Sequence, residues 1–263
     1  SNLTIGIGIF NHGFRTPSAI FYLNSLFYLP LVKYYFFHLP AVLILGYANI
    51  LFICNLRKNF KESNINFVSY FILLSILFIN IFFYRIAEHG TDRSAQILLL
   101  VVVAEILAFI SIGEIKNEKL SKIFLLITLI TSFKAFYALY AVILIPIIMI
   151  LKKKLEIKEF FLVLLKNRGL QLSSIMFLLI LLTNFFNTGC LIYPVNQICF
   201  SNLEWALPNS EILRMKDWYQ QWSKAGAGPN FRVENPEIYI QSFNWVGHWI
   251  NEYFFNKVSD FLY

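Results

Sequence analysis

Charge is scarce in this sequence. Only 14% of its 263 residues are Asp, Glu, Lys or Arg, while 58% are hydrophobic; a soluble domain carries about 25% charged residues. Mean hydropathy is +0.62, and too little polar side chain is present to cover a soluble globule. Disorder is excluded by the same figures, because disordered chains are polar and poor in aromatics. With 3 Cys and 11 Gly, neither a disulfide-dense scaffold nor a collagen repeat is possible. There is no P-loop, dinucleotide fingerprint or nucleophile elbow. No His, Cys and carboxylate spacing marks a dedicated metal site.

What the chain does have is long apolar runs and 28 Phe, 14 Tyr and 5 Trp. Runs of about 20 apolar residues match the thickness of a bilayer core. They lie near 36–54, 66–84, 94–113 and 170–187. None alternates as a barrel strand would, and backbone in lipid must bond within its own segment. The stretch 120–151 is too long for one span and short for two. It carries Lys134 near its middle and Pro146 beyond, and reads as two short or tilted helices meeting near Lys134. The expected fold is all-α: a polytopic membrane bundle of about six spans. The expected parts are an outer loop with an interfacial or re-entrant helix (1–35), the bundle (36–187) and an extracytoplasmic, partly helical, Trp-rich region (188–263). In the first part, Thr16 and Pro17 read as the cap and first position of a helix. The chain opens on Ser1 rather than Met and is expected to be an internal piece of a longer protein.

Charge placement predicts orientation. Residues 1–187 hold 17 Lys/Arg and 8 Asp/Glu (net +9), and residues 188–263 hold 5 and 7 (net −2). Such an excess in a membrane protein sets loop orientation rather than pointing to nucleic acid. The basic stretches 55–65, 114–122 and 152–168 are expected to be cytoplasmic loops. This puts 1–35, the 85–93 turn and 188–263 outside. Cys190 and Cys199 then lie where a disulfide can persist; the alternative is two unpaired thiols. Cys54, near the inner end of the first run, reads as apolar filler.

The densest ionisable cluster is the outer turn with Arg85, Glu88, His89, Asp92 and Arg93. Asp92, His89 and Glu88 are candidates for acid–base work on a sugar hydroxyl, and Arg85 and Arg93 for holding phosphate. His12 and Arg15 are candidates to join them, with the cluster converging on one cavity. The competing reading makes Asp92 a helix cap and the arginines interfacial anchors. Glu105 and Lys134 are intramembrane polar residues, and therefore either functional groups or structural ones, paired or snorkelling. His38 and His248 are isolated and read as structural. Trp218 and Trp222 are four residues apart, as are Trp245 and Trp249, so each pair shares a helix face. Such faces stack on sugars or sit at a membrane interface.

The Glu88-His-Gly-Thr-Asp-Arg-Ser-Ala-Gln-Ile97 turn, the Thr188-Gly-Cys-Leu-Ile-Tyr-Pro194 segment and the Phe243-Asn-Trp-Val-Gly-His-Trp249 segment resemble uncharacterised multi-pass membrane proteins of bacterial surface-polysaccharide gene clusters. Their plan is similar to that of the GT-C class of glycosyltransferases. The resemblance implies a polyprenyl-phosphate-sugar-dependent transferase or polymerase in the plasma membrane. Its partners would be membrane lipid and a lipid-linked sugar. No cofactor is implied, and a divalent cation is left open. That class keeps its catalytic acidic residue in a first outer loop to which no residue here corresponds. A glycolipid or solute transporter using Glu105 and Lys134, and a non-catalytic envelope subunit docking through its Trp-rich region, are the competing expectations.

Overall fold

Apolar runs with no alternation leave the backbone one way to satisfy its hydrogen bonds without water, which is the helix. A computed structural model describes residues 5–10, 14–83, 91–112, 117–154, 156–225 and 235–251. Among them there is no β-strand, and the chain is an all-α helical bundle with a partly helical C-terminal region. Four helical segments are long and apolar enough to cross a membrane: Leu39–Lys61, Asp92–Ser111, Phe136–Lys153 and Arg168–Thr188.

The chain divides into two compact units. One is Thr16–Thr183; the other joins Ser1–Arg15 to Asn184–Tyr263.

In the larger unit, α1 (Ala19–Ser25) is short and starts after Ser18 rather than at Thr16 and Pro17. It buries Ile20 completely against α2 (Leu39–Lys61) and α5 (Asn117–Phe133). Turns, not a continued interfacial helix, follow it. The helix α2 runs seven residues past the expected end, so Cys54 lies within it rather than at its end. The apolar helix α3 (Phe67–Phe82) has 16 residues. Asn66 caps it, its side chain accepting from the Ser69 N–H.

The helix α4 (Thr91–Ile112) is the centre of this unit. Half of its apolar window is buried inside the protein, against 17–22% for the other three membrane-length segments. Ala95, Leu98, Val102, Ile106 and Phe109 pack with α5, while Ile97, Val101 and Ala104 pack with α2 and α3. The outer helices leave Ile50, Ile53, Leu74, Leu77, Leu178 and Leu179 exposed. That much uncovered aliphatic surface suits lipid rather than water.

The 120–151 stretch is two helical pieces meeting at Lys134, as its length requires. The helix α5 ends at Phe133, Lys134 is extended, and a 3-10 segment (Ala135–Leu144) leads into α6 (Ile145–Lys154). The basic stretch 152–168 is not a loop. It holds the end of α6, α7 (Ile157–Lys166) and the start of α8 (Arg168–Thr188). Phe160, Val163 and Leu164 of α7 pack on the core, while Phe161, Leu162 and Leu165 stay exposed. Lysines at both ends with apolar residues between are the pattern of a helix suited to a membrane interface.

The helix α8 starts beside the start of α5. Asn167 is buried at its N-cap; its side-chain oxygen accepts from the Leu170 N–H at 2.9 Å and from Ser121 Oγ at 3.0 Å. Its amide donates to the Asn117 carbonyl at 3.1 Å. Gly169 makes this approach possible, because a Cβ there would collide with the Ser121 backbone. Small residues let membrane helices come together in this way.

The smaller unit is held by Cys190, Tyr193, Leu207, Ile212 and Met215. Cys190 and Cys199 are disulfide-bonded, as expected, with Cα atoms 3.9 Å apart. Gly189 ends α8 in the left-handed region (φ 80°) and sits directly against Ala206, the usual place for glycine after a helix. The remaining helices are α9 (Asn209–Ala225), α10 (Pro236–Tyr239) and α11 (Trp245–Trp249).

Gly169→Ala is expected to destabilise the larger unit by about 1–3 kcal/mol, the usual penalty of overpacking. Gly46→Ala, at a helical position with nothing within 4 Å, should be neutral or stabilising by at most about 1 kcal/mol. Thermal unfolding of both variants in lipid nanodiscs checks the pair; equal melting temperatures would refute the close crossing.

Candidate functional site

Asp92 stands in the first turn of α4, one residue inside the helix rather than at its cap. A carboxylate there complements the positive helix end. Lys134 follows the last residue of α5, where a cation complements the negative helix end. Because α4 and α5 are antiparallel neighbours, these two ends lie side by side. Lys134 Nζ donates to both Asp92 oxygens, at 3.0 and 3.2 Å. The Tyr137 hydroxyl donates to Oδ1 at 2.9 Å.

Lys134 is therefore not a mid-span charge, as its place in the sequence implies. It lies where the helix breaks, with about half of its side chain exposed. Asp92 is equally exposed, at 50%, while Tyr137 is buried and stacks on Tyr140 at 5.2 Å. The arrangement is an accessible carboxylate with one cation and one phenol fixed on it. It can accept a proton from an approaching hydroxyl, and Lys134 can turn to an anionic group. Arg93 follows in the same helical turn and is half-buried.

Glu105 is paired: Lys122 Nζ donates to its Oε1 at 2.6 Å. The Glu105 side chain is 13% exposed and that of Lys122 34%. Lys122 is on α5, not in a basic loop. The hydroxyls of Thr128 and Thr131 bond back to carbonyls of their own helix. Below the Asp92 end, an apolar groove of about 350 Å³ runs between α5 and α8, lined by Phe124, Ile127, Leu144, Phe177 and Leu181 among others.

Arg15 belongs to the smaller unit. It donates to the Gly8 carbonyl at 2.9 Å and to Glu211 at 3.0 Å, tying the N-terminal segment to α9. Arg214 also reaches Glu211, at 2.7 Å. The Arg15 hydrogen bond holds the Glu211 carboxyl below its ordinary value. Burial pushes the neighbouring Tyr193 phenol up. Trp218 and Trp222 stack on one face of α9 at 6.1 Å, and Trp245 and Trp249 share α11 at 6.5 Å, as their spacing requires. His12, Arg85, Glu88 and His89 lie outside the described residues. Among the described residues no group of three or more His, Cys, Asp or Glu is placed to hold a metal ion.

Sequence reading missed Tyr137 and Glu211. Tyr137 stands three residues after Lys134, but its approach to Asp92 depends on how the chain turns at the break. Glu211 meets a residue 196 positions away, a separation no local pattern spans.

The chain belongs to a family described as a domain of unknown function (DUF8201), whose model matches residues 2–263. No curated protein and no solved structure matches it.

Removing one partner of the Glu105 pair should leave a charge stranded. Glu105→Leu is expected to lower stability by about 3 kcal/mol, and Glu105→Leu with Lys122→Leu to recover most of it. Thermal unfolding in nanodiscs measures both; a double variant as unstable as the single would refute the pairing.

Glu211 gives a pH prediction. Its folded value is depressed, so its contribution is present above its ordinary value of 4.5 and is lost as pH falls through the lowered value. Arg15→Gln should flatten this acid limb, read from tryptophan fluorescence between pH 6 and pH 2. An unchanged acid limb would show that the pair does not couple to folding.

Proposed function

We propose that this chain is part of a membrane transferase that acts on a polyprenyl-phosphate-linked sugar in cell-surface polysaccharide synthesis. The observation that carries the reading is the Asp92 carboxylate, held by Lys134 and Tyr137 at an exposed end of the bundle. In this reading Asp92 takes the proton of the acceptor hydroxyl as that oxygen attacks the anomeric carbon. Lys134 neutralises the departing lipid phosphate, and Tyr137 keeps the carboxylate oriented. Arg93 in the same turn adds a second cation. The groove between α5 and α8 is suited to a prenyl chain, since its lining is mostly aliphatic and aromatic, with Thr128, Ser173 and Ser174 the exceptions.

In this proposal the protein sits in the bacterial plasma membrane with residues 188–263 outside. Basic residues at the end of α2, the start of α5 and along α6 and α7 support that orientation. So does the Cys190–Cys199 disulfide, because such bonds persist in oxidising compartments. Transport through the bundle is less well supported. Glu105 and Lys122 neutralise each other, and Lys134 lies at the helix break instead of along a path.

Asp92→Asn in the full-length protein tests the reading. An exposed ion pair contributes at most about 1 kcal/mol, so the variant should fold and insert normally. Loss of a catalytic base should lower sugar transfer from a polyprenyl-phosphate donor about 100-fold or more. Transfer and surface polysaccharide at unchanged levels would sink the proposal.

A further inference from the structure

The smaller unit carries an open cleft of about 690 Å³ between α9 and the α10 turn, lined by Asp217, Gln220, Gln221, Glu237, Gln241 and Ser242, with Ile240. The chemistry of this lining is unusual for a surface of so apolar a chain. Three amides, two carboxylates and a hydroxyl face one space. Among the described residues, none of these six side chains is hydrogen-bonded to the protein. Asp217, Gln220 and Gln221 are set three and four residues apart and so share one face of α9. The opposite wall comes from a strained turn. Ser242 and Phe243 both take positive φ, at 50° and 64°, a conformation that non-glycine residues rarely adopt in succession. Gln241 and Ser242 of this turn line the cleft together with α9.

Aromatic surface lies on the adjoining face of α9, next to the residues that line the cleft. Trp218 and Trp222 follow Asp217 and Gln221 by one residue, about 100° round the helix. They stack with an interplanar angle of 23° and stay 36% and 42% exposed. Lys224, also on α9, lies over the Trp245 ring, 5.7 Å from its centroid.

We infer that this cleft is a saccharide-binding site for a neutral or amino sugar chain, a second site carried by the smaller unit. Amide and carboxylate side chains supply both the donors and the acceptors that sugar hydroxyls require. Exposed indole faces take the C–H side of a pyranose ring. The ionised groups lining the cleft are carboxylates, which repel uronates and phosphates and favour uncharged or cationic sugars. A peptide would need a strand edge or apolar pockets. The described residues offer no strand, and Ile240 is the cleft's one aliphatic residue.

The inference goes beyond the transfer reaction and is tested apart from it. The full-length protein in nanodiscs, free of sugar-headed detergent, is titrated with tetrasaccharides of glucose, mannose, galactose, N-acetylglucosamine and glucosamine, and with tetragalacturonate. All five tryptophans lie between residues 205 and 249, so intrinsic fluorescence reports on this region, and calorimetry gives the affinity. At least one neutral or amino tetrasaccharide should bind with a Kd of about 1 mM or tighter, and tetragalacturonate at least about tenfold more weakly. Gln220→Ala with Gln241→Ala should weaken binding about tenfold, through lost hydrogen bonds. Asp92→Asn should leave binding unchanged, even where it abolishes transfer. Absence of binding by every neutral and amino tetrasaccharide, a preference for the uronate, or full binding by the double glutamine variant would each overturn the inference. The selectivity measurement uses the unaltered protein and does not depend on how a variant folds.

Discussion

The larger unit is organised around a single helix that has apolar residues on two distinct faces. Ile97, Val101 and Ala104 of α4 need one set of partners, and Leu98, Val102, Ile106 and Phe109 need another. Lipid could cover either face equally well, so hydrophobicity alone does not gather these helices. Close packing and satisfied polar groups do. The contacts of α2 and α3 on one side and of α5 on the other follow from that demand. Glu105 extends it, because a carboxylate on so central a helix needs a partner. Lys122 on the neighbouring helix provides one.

Backbone in a membrane also constrains where a helix can be interrupted. An interruption exposes unpaired N–H and C=O groups, which are tolerated only where protein or water reaches them. The break at Lys134 meets this condition. The Tyr137 N–H donates to the Lys134 carbonyl at 2.9 Å, and the side chains of both residues turn to Asp92. The same break that ends α5 thus assembles the candidate site. The dipoles of α4 and α5 place opposite partial charges side by side, and Asp92 and Lys134 offset them in pairs.

The smaller unit solves a different problem. Its buried cluster contains Cys190, Tyr193, Leu207, Ile212 and Met215, a modest core. The disulfide closes a nine-residue separation, worth about 2.5 kcal/mol in the loop-entropy account. Arg15 adds a long-range tie from the N-terminal segment to α9. With that much fixed by covalent and ionic links, α9 can leave one face of amides and carboxylates and a neighbouring pair of indoles uncovered.

Local pattern carried much of this architecture. Uninterrupted apolar runs favour helix, so most helix positions, the division at Lys134 and the shared faces of the tryptophan pairs were legible in the sequence, and the disulfide pair followed from the expected orientation. Legibility ended where the outcome depended on which helices touch. Glu105 and Lys134 read alike in the sequence, as lone charges in apolar surroundings. Packing α4 against α5 made one a member of an internal ion pair and the other a partner of Asp92. The stretch 152–168 read as a loop because its lysines dominate the composition, yet its apolar residues recur at helical spacing and pack as α7. Arg15 read as a candidate to join the charged turn; in the folded chain it bonds to a glutamate 196 residues away. Composition and period determine what a segment becomes in lipid, because that choice is made residue by residue against the solvent. Which polar groups meet is decided only in the folded chain, because each pairing needs two segments brought to one place.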